Sequence, residues 1–226
     1  MQAAYQEQVT HELVPRPRAQ ALLAGAGIVL ALIVSAVNGM LFQQLEKAGA
    51  THLGALAFVL AFVAPGVVAL VAIRMPNIHV QRSLTFAAAI AYGFLAILAM
   101  FTVGIFFLAI AAGLVVCVLA TRPPNTDPTP VSAYLLTMVV MSSLVLALGL
   151  ITLRGPSACW SSTDPGWHVV SSINQGAGQG IAAGGSVTCT SQLTDSASGL
   201  YGLAFLALAA IAIAVGSRIV RPEPVE

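Results

Sequence analysis

Two cysteines, Cys159 and Cys189, lie in one Ser-, Thr- and Gly-rich stretch of the chain. Close redox pairs use a short Cys-x-x-Cys spacing, and these two do not. Their separation predicts a structural disulfide, provided the stretch lies where thiols are oxidised. On the chain-entropy model, a crosslink closing a loop of that size contributes about 3–4 kcal/mol. The third cysteine, Cys117, sits in an apolar run and reads as a small packing residue.

The other chemistry-bearing residues do not assemble into a motif. The histidines are His11, His52, His79 and His168, and none falls mid-way along an apolar run. A haem held between helices would need axial ligands there. Glu46, Asp127, Asp164 and Asp195 are scattered over three connecting segments without a partner at catalytic spacing. Gly176, Gly178 and Gly180 superficially resemble a phosphate-cradling run, but no Lys follows and no helix is expected to open there. No metal, cofactor or catalytic set is expected.

The elements that must carry these residues are set by composition. Apolar residues make up 58% of the 226 and charged residues 8%, against about 25% charged in an ordinary soluble domain. Such a chain cannot build a charged, water-facing skin. Mean hydropathy is +0.92. The net charge of +1 offers no field for nucleic acid. The Ala-, Leu- and Val-rich runs fit membrane helices better than barrel strands, which would alternate with a period of two.

Charged residues delimit five apolar runs, at 19–45, 48–73, 83–121, 128–153 and 196–217. Each exceeds the roughly 20 residues needed to span the hydrocarbon. Backbone in lipid must satisfy itself, so each is helical. The third run would be about 58 Å long as one helix, too long for a single crossing. It is expected to reverse near Met100–Gly104, with Gly104 free to take positive φ. One long helix over 83–121 is the alternative.

Six helices place Arg16, Arg18, Arg74, Arg82, Arg122, Arg218 and Arg221 on one side and only Lys47 and Arg154 on the other. Five helices nearly abolish that bias. The positive-inside rule therefore favours six helices with both termini cytoplasmic. The expected spans are 20–43, 51–73, 84–101, 104–121, 131–153 and 199–217. A cytoplasmic tail covers 1–18, helices one to five fall within 19–153, an extracytoplasmic loop covers 154–198, and a short tail covers 218–226. The acidic, Pro-containing start does not match a cleaved secretory signal. The lack of any Asn-x-Ser/Thr site and the high Ala, Val and Gly usage suggest a bacterial inner (plasma) membrane.

Within the loop, Trp167–Val170 and Ser186–Thr190 are β-prone and are expected to form a small hairpin stapled by Cys159 and Cys189. Trp160, Trp167 and His168 are the residues there that could recognise a ligand; interfacial anchoring is the plainer role. In the helices the polar residues are mild: Ser35 and Asn38, then Thr137, Ser142 and Ser143. Asn38, Thr137 and Ser142 are candidates for intramembrane contacts, Asn38 foremost because an amide in hydrocarbon needs a partner. Pro65-Gly66 should loosen the second helix. Ala21, Gly25 and Gly27, then Gly199 and Gly202, give small faces suited to packing within the bundle or against another protein.

Two functions fit this pattern. The first is a non-catalytic membrane subunit or scaffold that packs against other membrane proteins or itself and presents the outer loop. The second is a small carrier or binding component for a neutral or apolar solute, its cavity lined by Asn38, Tyr92, Thr137 and Ser142.

Overall fold

A computed structural model describes residues 17–40, 51–99, 103–121, 131–153, 158–163, 166–172, 187–190 and 196–219. Its helices are α1 (Pro17–Met40), α2 (His52–Ile73), α3 (Ile78–Leu98), α4 (Gly104–Ala120), α5 (Val131–Leu153) and α6 (Ser196–Ile219). Between α5 and α6 lie β1 (Ala158–Thr163), β2 (Gly166–Ser172) and β3 (Val187–Thr190). Five of the helices are long and apolar enough to cross a membrane. The remaining one, α4, has 17 residues, about 26 Å of helix, and is apolar throughout. The chain is therefore a multi-pass membrane protein.

Local chemistry explains the boundaries. Thr51 precedes α2, and its Oγ1 accepts from the Gly54 N–H at 3.1 Å, satisfying a donor that the first turn cannot use itself. Asn77 does the same for α3: its Oδ1 accepts from the N–H of His79 at 2.8 Å and of Val80 at 3.4 Å. This cap starts α3 at Ile78, six residues before the expected position, and so takes Arg82 inside the helix. A boundary drawn at the charge overlooks a helix that begins before it. Pro65 lies within α2, which runs continuously through it.

The long third run is two helices. α3 ends at Leu98 and α4 begins at Gly104. Gly104 does not serve through a positive φ, contrary to the expectation. It sits at the start of α4, its N–H donating to Ala99 O at 2.8 Å. A Cβ there would lie 2.4 Å from Ala96 O and 2.7 Å from Ala99 O. Glycine is required for space, not for dihedral freedom.

The helices divide into two compact units, one of Met1–Leu30, Val63–Val145 and Ala207–Glu226, the other of Ala31–Phe62 and Leu146–Leu206. In the first, Gly27 and Gly66 receive Tyr92, Gly113 of α4 meets Leu23 of α1, and Gly216 of α6 meets Leu136 of α5. In the second, a Cβ on Gly199 would lie 3.1 Å from the Gly54 Cα, and one on Gly202 would lie 2.4 Å from Ile151 Cδ1. Gly27, Gly199 and Gly202 are thus contact points inside the protein. Gly25 has nothing within 4 Å of its would-be Cβ and faces away from these contacts.

The segment between α5 and α6 contains a three-stranded antiparallel ladder in the order β2-β1-β3. The two β-prone stretches fall in β2 and β3 but do not pair with each other, contrary to the expected hairpin. Each pairs with β1, a Ser-rich strand whose weak β-propensity hides it. The β1–β2 register shifts between Cys159 and Trp160.

Candidate functional site

The most polar buried group among the described helices is a junction of α1, α2 and α3. Gln20, in the first turn of α1, is 5% exposed. Its Nε2 donates to Thr85 Oγ1 at 2.7 Å and to Ala69 O at 3.2 Å. Gln81 Nε2 donates to Gln20 Oε1 at 3.5 Å, and Thr85 Oγ1 donates to Gln81 O at 2.8 Å. One amide thereby ties the beginning of α1 to the end of α2 and the beginning of α3. In a low-dielectric interior such bonds fix one arrangement, because any other leaves an amide unpaired.

The same helix faces carry the packing further along. Gln20, Ala24 and Gly27 recur at helical spacing on α1, as do Gln81, Thr85 and Tyr92 on α3. Tyr92 is fully buried and stacks on Phe107 with ring centroids 5.9 Å apart. Its hydroxyl reaches between two glycines. A Cβ on Gly27 would lie 2.1 Å from Tyr92 Oη, and one on Gly66 would lie 2.7 Å from it. That hydroxyl has no hydrogen-bond partner, a state that costs about 1–3 kcal/mol for a buried group. The ring's burial and stacking hold it there.

The residues singled out from sequence are dispersed. Asn38 lies in the last turn of α1, and its side chain falls outside the described residues. Thr137 Oγ1 donates to Ala133 O at 2.8 Å, within its own helix. Ser142 is exposed and donates to Met138 O, again within α5. Trp160, Trp167 and His168 occupy ladder positions: Trp160 opposite Val169 and Thr188, Ser162 opposite Trp167, and Ser161 opposite His168. Cys117 is buried in α4 with a free thiol. Groups of three or more His, Cys, Asp or Glu able to hold a metal do not occur among the described residues.

Cys159 and Cys189 are directly opposite each other in the β1–β3 ladder. Directly opposed antiparallel residues have Cα atoms about 4.5–5.5 Å apart, within the roughly 4.4–6.8 Å that disulfides span.

Gln20, Gln81 and Thr85 were not singled out by sequence reasoning. The available signal was an amide inside the first turn of an otherwise apolar helix. Marking membrane spans by charge passes over Gln, which carries none. Comparison with family models, with curated proteins and with solved structures gives no match to this chain.

Proposed function

We propose that the chain is a non-catalytic integral membrane subunit or scaffold of a bacterial inner membrane, with both termini cytoplasmic. It packs against partner membrane proteins or further copies of itself. The β2-β1-β3 ladder is its extracytoplasmic face, held by a Cys159–Cys189 disulfide. The observation that carries this reading is the Gln20–Thr85–Gln81 junction. Gln20 of α1 bonds the side chains of Thr85 and Gln81 on α3 and the Ala69 carbonyl of α2, so these polar groups act in joining helices. The opposed cysteines support the second half of the reading, because a sheet of three short strands is too small to be held by a core of its own.

The test is isolation of the tagged full-length chain from native membranes in mild detergent. A membrane protein in fixed ratio, or a defined oligomer, is the expected result. A lone, monodisperse monomer would overturn the scaffold reading. The disulfide is tested separately by alkylation of membranes with a thiol reagent. Cys159 and Cys189 should label only after reduction, and Cys159→Ala should weaken the loop by about 3–4 kcal/mol. Labelling of both without reductant would place the ladder in a reducing compartment and reverse the topology.

A further inference from the structure

We propose that the end of the α1–α2–α3 junction binds the phosphate-bearing headgroup of an anionic phospholipid through Arg18, Arg74 and Arg82. Gln20 fixes three helix ends together, and each of those ends carries one arginine. Arg18 lies two residues before Gln20 in the first turn of α1. Arg74 immediately follows the last residue of α2, five residues beyond Ala69, whose carbonyl accepts from Gln20. Arg82 follows Gln81, which also bonds Gln20, in the second turn of α3. The turn between α2 and α3 is only Arg74 to Asn77, so those two helices return to the same end. All three arginines belong to one compact unit.

Charge decides the occupant. The sequences of α1, α2 and α3 contain no Asp or Glu. The described helices therefore supply no carboxylate to these guanidinium groups. Arg18 and Arg74 are exposed and Arg82 is half-buried. Their position at the helix ends puts them at headgroup depth, where long side chains reach outward. Basic residues between helices at this level suit anionic lipid headgroups, and a guanidinium pairs with phosphate oxygens in bidentate fashion. The first turn of α3 is not itself the anion site. The Asn77 side chain already accepts from the N–H groups of His79 and Val80.

The site is distinct from the scaffold role and stands or falls without it. The experiment is native mass spectrometry of the intact, detergent-solubilised protein with phosphatidylglycerol or phosphatidylcholine. Wild type should retain phosphatidylglycerol preferentially. Affinity should fall roughly fivefold for each arginine removed, so that R18Q/R74Q/R82Q binds the two lipids alike. The lysine triple variant R18K/R74K/R82K should keep most of the preference, which separates lost charge from lost folding. R218Q, on α6, should match wild type. Equal binding of both lipids by wild type would overturn the proposal, as would full retention of the preference by the glutamine triple variant. Displacement of the lipid by millimolar inorganic phosphate would reassign the site to a free anion.

Discussion

Replacing Tyr92 by alanine is expected to lower the stability of the bundle by about 3–5 kcal/mol, the range for emptying a buried aromatic site. The ring fills the space between Gly27 and Gly66 and stacks on Phe107, and a methyl group cannot replace those contacts. Tyr92→Phe is expected to do the opposite. It keeps the ring and removes a buried hydroxyl that has no partner, so stability should stay level or rise by about 1 kcal/mol. Thermal unfolding of the two variants in the same detergent makes the comparison. A phenylalanine variant as damaged as the alanine variant would mean that the hydroxyl has a bonding role.

The second large effect is expected at Gly104. A methyl group there would sit against Ala96 O, Ala99 O and the Ala99 carbonyl carbon, at 2.4, 2.7 and 2.8 Å. These are backbone atoms at the end of α3 and of the residue that follows it, and they cannot swing aside as a side-chain tip can. Gly104→Ala should cost about 3 kcal/mol, the upper end of ordinary overpacking, and Gly104→Val more. The matched control is Gly93→Ala on α3. A Cβ there meets nothing within 4 Å, and alanine is the better helix former by about 1 kcal/mol. Equal unfolding temperatures for Gly104→Ala and Gly93→Ala would refute the steric account of the turn.

Much of the helical layout was legible in the sequence, because the cost of moving a charge into hydrocarbon is large and local. The runs between charges mark α1, α2, α5 and α6 to within a few residues, and the end of α4. The rule fails where the physics is weaker. α3 begins early because the Asn77 cap, not the nearest arginine, sets its start. β1 escapes notice because its serines and threonine give no alternating apolar pattern, and its pairing comes from the flanking strands. The Gln20 junction escapes because an amide has no charge to mark, although leaving one unpaired in the interior would be costly. Tyr92 was singled out as a lining residue for a cavity, and the structure places its ring in a cradle of glycines. Sequence shows that small residues are present but not which large residue they receive.

The hydroxyls of α5 and α6 carry a last consequence. Thr137, Ser142, Thr152 and Ser217 each donate to a carbonyl of their own helix. A neighbouring molecule sliding past in the bilayer meets no free donor from these four groups. Apart from the exposed Tyr134 and Tyr201, what those helices chiefly offer it is relief, the ridges of leucine and valine and the hollows where small residues stand.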